Sequence, residues 1–208
     1  MQARLKNMLS LKRNNNLPGR FLIQVDGTGS FLIMREPTVT VGPISSSVRP
    51  DVGLVVDPNA TVATIERAED DYFIKTSQPV SINDSITSNR LLSDGDRLDL
   101  APRCRLTFSI PNAASTTAVL DLTAARLPRA DIKRVVLMDQ ALIMGPAASA
   151  HVRVIADDTS VLQVKDGQLR CKTEQPITIG NRPGDANTDL PFDERIQVGS
   201  LSFVVTEL

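Results

Sequence analysis

The stretch LLSDGDRLDLAPRCRLTF, Leu91–Phe108, decides the fold class of this chain. Its Asp94-Gly95-Asp96 segment is a turn sequence, because glycine adopts a positive φ at little cost and aspartate side chains accept hydrogen bonds from the turn amides. Apolar residues alternate with polar ones around this turn, which is typical of a strand with one buried face. The residues predicted on that face are Leu92, Leu98, Leu100, Leu106 and Phe108.

Strand-like segments continue on both sides of this hairpin, separated by Gly, Pro, Asn and Asp. FLIQV at 21–25 and FLIM at 31–34 flank a DGTGS turn and predict a hairpin. TVTVG, VGLVV, TVATIE, DYFIKT and PVSIN follow, and no sustained helical period occurs beyond the first residues. Aromatic residues make up only 3% of the chain, so the core must be aliphatic, which favours β structure. The pattern predicts an all-β sandwich or barrel.

The second half of the chain repeats the first in order. The matched segments are LIQV at 22–25 with VLDL at 119–122, FLIM at 31–34 with VVLM at 135–138, TVGP at 40–43 with IMGP at 143–146, SQPVSIND at 77–84 with EQPITIGN at 174–181, LSDGDRLDL at 92–100 with LPFDERIQV at 190–198, and RLTF at 105–108 with SLSF at 200–203. Strands share Val, Ile and Leu by chance, but an ordered series with Gly-Pro and Gln-Pro retained indicates an internal repeat. Gly42 and Gly145 are expected at equivalent strand ends.

We therefore predict two tandem copies, at residues 21–112 and 117–208, joined near PNAASTT at 111–117. Residues 1–20 carry five basic side chains and no acid. They form either a disordered segment or a short amphipathic helix, and act either as a basic interaction tail or as a solvated terminus.

The first copy resembles the forkhead-associated (FHA) family, whose eleven-stranded β-sandwiches usually bind phosphothreonine peptides. TVTVG is similar to the strand and glycine that open the family's first recognition loop, and LLSDGDRLDLAPRCRLTF is similar to its last hairpin. DVGLVV, the Ala63 and Ile65 strand and DYFI lie between them. The resemblance covers about residues 21–110, and more faintly 117–206. It implies two tandem FHA-like β-sandwiches.

The family's ligand-binding residues are not retained in this sequence. The corresponding positions hold Pro43 and Pro146 in place of the phosphate-binding arginine, Asn59, Ala60 and Val62 in the Ser-Arg-x-His loop, and Gln78 and Pro79 near the Asn-Gly pair. A guanidinium holds a phosphate dianion through two charge-assisted hydrogen bonds, which proline cannot make. The resemblance therefore implies the fold without the usual phosphothreonine ligand.

Polar residues that follow each loop glycine form the candidate ligand loops. They are Gly42, Ser45, Ser46, Ser47 and Arg49 in the first copy, and Gly145, Ser149, His151 and Arg153 in the second. Hydroxyls and loop amides beside an arginine could form a weak anion site. The alternative is a polar loop with its arginine in water. His151 has no evident catalytic partner in the sequence and is expected to be exposed or partly packed.

A second basic segment, RLPRADIKR at 126–134, leaves two interpretations open. It is either a patch for an acidic peptide or nucleic acid, or a solvated segment between the copies that pairs with acids of the first copy. It has no aromatic side chain for stacking on bases, so it does not favour nucleic acid. The acidic segment at 66–72 is expected to be a solvated turn, because calcium needs more oxygen ligands at regular spacing.

No metal site, cofactor site or membrane span is predicted. Cys104 and Cys171 lie in different copies and are expected as buried free thiols in a reducing cytoplasm. One histidine and two cysteines do not make a normal zinc site, and no apolar run approaches about 20 residues.

The sequence thus favours a cytoplasmic, bacterial-style, non-catalytic protein–protein interaction or scaffolding module. Its expected partner is a protein or peptide, phosphorylated or not, and no nucleic acid. One alternative is a phosphopeptide-binding protein that uses Arg49 or Arg153. Another is a small-ligand binder or enzyme with its site between the two copies.

Overall fold

A computed structural model describes residues 17–208, and in this range the chain forms nineteen β-strands and no helix. The predicted all-β sandwich class is confirmed. The helix or disorder predicted for residues 1–20 lies outside the described residues, apart from its last four positions, where Leu17 is buried and Arg20 begins the first strand.

Strands of the first half lie between residues 20 and 109. They are β1 (Arg20–Val25), β2 (Gly29–Met34), β3 (Thr38–Pro43), β4 (Val52–Leu54), β5 (Ala63–Ala68), β6 (Asp71–Ile82), β7 (Ser85–Leu92), β8 (Arg97–Ala101) and β9 (Cys104–Ser109). Strands of the second half lie between residues 118 and 207. They are β10 (Ala118–Asp121), β11 (Ile132–Leu137), β12 (Ala141–Gly145), β13 (Val152–Arg153), β14 (Ser160–Lys165), β15 (Gln168–Lys172), β16 (Ile177–Ile179), β17 (Arg182–Gly184), β18 (Arg195–Val198) and β19 (Leu201–Glu207).

The two halves pair their strands in the same order. In the first half β3 pairs in parallel with β4 and antiparallel with β5, and in the second half β12 pairs in parallel with β13 and antiparallel with β14. The strands that follow also correspond. Ile82 of β6 lies opposite Leu98 of β8, just as Ile179 of β16 lies opposite Ile196 of β18. The order of the sequence repeat is therefore also the order of the strand pairing.

Strand pairing nevertheless crosses the boundary predicted near residues 112–117. β10, which opens the second half, pairs with β9 and places Leu120 opposite Phe108. β1, which opens the first half, pairs with β19 and places Ile23 opposite Val205. The two opening hairpins, β1–β2 and β10–β11, are thus exchanged, which means that each pairs with the last strand of the other half. The domain limits themselves stay a prediction.

Exchange is favoured by the short connection between β9 and β10. Only residues 110–117 join these strands, and a connection of this length places consecutive strands side by side and antiparallel. Thr117 is fully buried in this connection, donates a hydrogen bond to the carbonyl of Ala141 at 2.6 Å and accepts one from the amide of Asp139 at 3.1 Å. Tyr72 of the first half donates to the carbonyl of Thr116 at 2.7 Å. The predicted linker is therefore hydrogen-bonded to both halves.

The exchanged hairpins meet where β2 pairs in parallel with β11, and both of their faces are buried. Two clusters of buried residues result: the first core lies over β3–β9 and the second core over β12–β19. In β2, Leu32 and Met34 point into the first core and Phe31 and Ile33 into the second. Burial on both faces explains why FLIM and VVLM are continuous apolar runs rather than alternating ones.

The β8–β9 hairpin confirms the strands predicted from LLSDGDRLDLAPRCRLTF. Comparison with the β18–β19 hairpin corrects one matched pair of segments. Gly95 has a φ of 82° in its turn, and Asp193 occupies the same place with a φ of 61°. Leu98 pairs with Leu106 and Ile196 with Phe203, so Phe203 corresponds to Leu106. The match of RLTF with SLSF was therefore wrong by two residues. A shift of two leaves every side chain on the same face, so the apolar pattern cannot detect it.

One strand distinguishes the two halves. β6 is 12 residues long and passes from one layer of the first half to the other, with a register shift between Lys75 and Val80. In the second half the corresponding strand is interrupted at residues 173–176, which gives two separate strands. These strands, β15 and β16, lie in different sheets. As a result β13-β12-β14-β15 form a sheet of four strands and the other fifteen strands form one continuous sheet.

Candidate binding cleft

Gly42 and Gly145 occupy equivalent strand ends, as predicted, and a close backbone approach requires both. Gly42 lies opposite Gly53 of the parallel neighbour, and Gly145 lies opposite Arg153. A Cβ atom on Gly42 would lie 2.9 Å from Cγ2 and 3.1 Å from Cα of Val62. On Gly145 it would lie 2.8 Å from Oγ1 and 3.3 Å from Cα of Thr159. These glycines therefore serve packing rather than the presentation of a ligand.

The loop that follows each glycine ends in an equivalent hydrogen bond. In the first half the Asp51 carboxylate accepts from the amide of Thr40 at 2.8 Å and from its hydroxyl at 2.6 Å. In the second half Nδ1 of His151 accepts from the amide of Ile143 at 2.9 Å. Asp51 and His151 therefore hold the same position, although one is exposed and the other is fully buried.

His151 lies in the interior, so the expectation of an exposed or partly packed side chain was wrong. Burial lowers the pKa of His151 to about 4; the backbone carbonyl of Thr117 offsets this in part, and Arg134 adds to the lowering. Nε2 has no hydrogen bond of ordinary geometry. The imidazole is therefore neutral at pH 7 and acts as an acceptor that closes the β12–β13 loop.

The other candidate loop residues do not converge on one site. Ser45, Ser47 and Ser149 are exposed and Ser46 is half-buried, and Ser46 donates its amide to the carbonyl of Pro43 in a tight turn. Arg153 is exposed on β13, and its side chain has no ion pair or hydrogen bond within residues 17–208. Arg49 is the one candidate side chain in this set that lines a cleft.

This cleft has a volume of about 320 Å³ and lies between the β3–β4 loop, the β1–β2 hairpin and the β10–β11 turn. Its lining combines an apolar floor with a charged rim. The lining residues are Arg20, Leu22, Leu32, Ile44, Arg49, Pro50, Asp51, Gly53, Leu127, Pro128, Arg129, Ile132 and Leu208. Both halves of the sequence contribute, because the opening hairpins are exchanged.

The rim of the cleft has an excess of positive charge. The side chains of Arg20 and Arg49 are exposed and form no ion pair or hydrogen bond with any residue in 17–208. Arg129 binds Asp131 at 2.8 Å, and this hydrogen bond, followed by one from Ser30, lowers the pKa of Asp131 to about 2. Two guanidinium groups are therefore free to bind an anionic group.

In the second half the corresponding loop contacts a large side chain. Arg134 of β11 forms a two-pronged ion pair with Asp121, at 2.7 and 2.9 Å, and donates to the carbonyl of His151 at 2.8 Å. Ser30, a much smaller residue, holds the corresponding position in β2, because it lies opposite Gln24 of β1 as Arg134 lies opposite Asp121 of β10. An arginine and a buried histidine thus lie in the second half at the positions that Ser30 and the exposed Asp51 hold in the first half.

The basic segment 126–134 is divided between the core, the cleft and an ion pair. Leu127 and Ile132 are buried in the first core, and Arg129 lines the cleft. The interpretation in which this segment pairs with acids of the first copy does not hold for Arg129 and Arg134, which pair with Asp131 and Asp121 of the second half. Nothing in the sequence indicated that this segment would lie beside Arg49.

Other reactive groups are buried or isolated in the part of the chain that the structure describes. Burial raises the pKa values of the Cys104 and Cys171 thiols to about 11, so both remain protonated at neutral pH. Within residues 17–208 no three His, Cys, Asp or Glu side chains group together in a way that suits a metal ion. The same range holds no helix with the length and apolar character needed to cross a membrane.

Comparison of this chain with protein families, with curated proteins and with solved structures found no match.

Proposed function

We propose that this chain is a non-catalytic protein-interaction module with FHA-like β-sandwiches, and that it contacts its partner through the β3–β4 loop and the cleft beside it. The observation that supports this most directly is the exposure of apolar side chains at that place. Val48 is 77% exposed and Ile44 is 46% exposed, and both lie in the loop that borders the cleft.

Exposed apolar residues carry meaning when they cluster beside a concave surface. A single exposed valine or isoleucine is ordinary on any protein, but an apolar patch with a charged rim is typical of an interaction site. Here Ile44, Val48 and Leu208 are exposed around or beside one cleft, with Arg20 and Arg49 at its edge. Such a loop on a rigid sheet scaffold is also where binding residues are commonly found.

The partner is recognised without dependence on phosphothreonine. Pro43 and Pro146 stand where the family's phosphate-binding arginine is expected; Pro43 ends β3 and Pro146 directly follows β12, and neither supplies a charged side chain. Of the two arginines that could replace it, Arg153 lies outside the cleft and Arg49 lies within it. A small-ligand enzyme is less favoured, because Asp51, the one acidic side chain among the described residues that line the cleft, is already held by Thr40.

A cytoplasmic location is part of the same proposal. Two cysteines remain as buried free thiols, which suits a reducing compartment.

A position-specific crosslink tests the proposed function. The full chain is produced in its own host with the photo-crosslinking residue benzoylphenylalanine at position 48, and in a control at position 155, where Ile155 is 94% exposed in the second half. We expect a discrete crosslinked partner from position 48 and none of the same mass from position 155. The same product is expected when a lysate is treated with phosphatase before irradiation.

Two results would count against the proposal. Identical products from both positions, or no product from position 48, would remove the β3–β4 loop as the contact surface. Loss of the product when phosphatase treatment precedes irradiation would instead establish the phosphopeptide alternative.

A further inference from the structure

We propose that the ligand of the cleft is an acidic peptide segment in which one apolar side chain is flanked by carboxylates. This inference rests on the proposed function, since it names the chemistry of the partner at the same surface. It follows from the floor, the rim and the size of the cleft taken together.

The floor of the cleft suits one apolar side chain. Leu22 and Leu32 of the exchanged β1–β2 hairpin and Ile132 of β11 lie beneath it, with exposures of 1%, 6% and 5%. They belong to the first core, so their positions are held by packing from both halves. An apolar side chain that enters here removes its own surface and part of this floor from water, which favours binding.

The rim of the cleft suits carboxylates. Arg20 and Arg49 stand at its edge without a partner in the described residues, while Arg129 is neutralised by Asp131 and Asp51 is held by Thr40. A guanidinium presents a planar fork of donors that matches a carboxylate. Two free cations around an apolar floor therefore select a ligand with at least two acids around an apolar group.

The size of the cleft limits the ligand to a short segment. Its volume of about 320 Å³ is at the lower end of the range for ligand pockets. Residues 1–16 do not suit it, because they carry four basic side chains and no acid and so have the same charge as the rim. The ligand is therefore assigned to a partner protein, as an exposed acidic segment with a leucine-like anchor.

Binding of defined peptides to the full chain tests this assignment. The probe is a fluorescein-labelled peptide GSEELDEEGS, and its binding is measured by fluorescence anisotropy. Two matched controls are GSQQLNQQGS, which keeps the shape without the charge, and GSEEADEEGS, which removes the apolar anchor. We expect both controls to bind about tenfold or more weakly. GSQQLNQQGS loses hydrogen bonds between charged groups, each of which is worth at least this factor, and GSEEADEEGS loses the burial of a leucine side chain, which is worth about as much. Affinity is also expected to fall as salt is raised.

Variants of the protein locate the binding. Arg20→Gln and Arg49→Gln are each expected to weaken the acidic peptide by about tenfold. Arg153→Gln is the matched control, because it removes the same charge from an exposed arginine of the second half that does not line the cleft. Ile44→Ser removes an apolar lining residue and is expected to weaken GSEELDEEGS more than GSEEADEEGS.

Several outcomes would overturn the inference. They are equal binding of all three peptides, equal binding by the Arg49→Gln and Arg153→Gln variants, no binding at high peptide concentration, or binding only when the peptide is phosphorylated. If the position-48 crosslink persists under any of the first three, the proposed function stands and only the acidic ligand is wrong. If the crosslink is also absent, both fail.

Discussion

The two halves of this chain show how one strand order yields an open cleft in one place and a filled core in the other. In the first half the β3–β4 loop, residues 44–51, ends in the exposed Asp51 and borders the cleft. In the second half the β12–β13 loop, residues 146–151, ends in the buried His151 against Arg134. The loop of the second half is thus two residues shorter and ends in a larger, buried side chain. Equivalent strands therefore do not imply equivalent surfaces.

Neither half contains the whole of its own core, and this gives the largest expected effect. We expect residues 1–112 produced alone to lack a cooperative unfolding transition, because seven buried side chains of its core come from β10, β11 and the turn between them. They are Ala118, Leu120, Leu122, Leu127, Ile132, Val135 and Leu137. Each large one contributes roughly 1.5–3 kcal/mol on burial, so their sum rivals the roughly 5–15 kcal/mol total stability of a domain.

Circular dichroism during thermal unfolding measures this effect. Mixing residues 1–112 with residues 113–208 is expected to restore one transition, since the mixture supplies both exchanged hairpins. A cooperative transition in residues 1–112 alone, at monomeric concentration, would contradict the exchange.

Between about pH 6.5 and pH 4, acid is expected to destabilise the protein through the buried His151 of the second half. The pKa of His151 is about 4 in the folded protein and about 6.5 when unfolded, so between these values the unfolded state binds the extra proton. The free energy of unfolding therefore rises with pH across this window. The contribution of His151 is fully present above pH 6.5 and is lost as the pH falls toward 4. A shift of this size corresponds to about 3 kcal/mol.

Urea unfolding at a series of pH values measures the effect. His151→Asn keeps an acceptor for the amide of Ile143 and removes the titrating group, so its stability is expected to lack this component. An unchanged slope in that variant would show that other groups cause the pH dependence.

Substitution of the two loop glycines is expected to have similar effects in both halves. Gly42→Ala and Gly145→Ala should each lower the free energy of unfolding by about 1–3 kcal/mol, because the added methyl group overpacks the neighbouring strand. The loss should be larger at Gly42, where the backbone of Val62 lies 3.1 Å from the new Cβ, than at Gly145, where that of Thr159 lies 3.3 Å away. Chemical denaturation measures both, with the exposed Ser45→Ala as control. A neutral Gly42→Ala would show that the close approach relaxes freely.

The smallest expected effect on stability is that of the free arginines. Arg49→Gln and Arg153→Gln should each change the free energy of unfolding by less than about 0.5 kcal/mol, because exposed side chains without partners contribute little to folding. The same denaturation experiment applies. A larger loss for Arg49→Gln would mean that Arg49 supports the fold, and any loss of peptide binding in that variant would need a different control.

The strand class and the repeat were accessible from the sequence because they depend on local pattern. Alternation around Asp94-Gly95-Asp96 predicts a half-buried hairpin, and the retained Gly-Pro pairs at 42–43 and 145–146 mark equivalent strand ends. The continuous apolar runs at 31–34 and 135–138 also carried a signal for burial on both faces, which is the requirement that strand exchange imposes.

The candidate site was only partly accessible from the sequence. Arg49 was identified from its place after Gly42, and it lies in the cleft. Arg20 and Arg129 are separated from it by 29 and 80 residues in the numbering, and no local pattern connects them. They meet because the exchanged hairpins bring residue 20 and the β10–β11 turn beside the β3–β4 loop.

By itself, then, the sequence determined which segments are strands, which face of each is apolar and which segments repeat. Only the tertiary structure decided which hairpin completes which core, because an exchanged and an unexchanged pair satisfy the same apolar pattern. It also decided the register of β19, because a shift of two residues leaves the apolar pattern unchanged. The burial of His151 likewise depends on Arg134 and the neighbouring strands. The local apolar pattern indicates which side chains are buried, and tertiary packing alone determines which strands bury them.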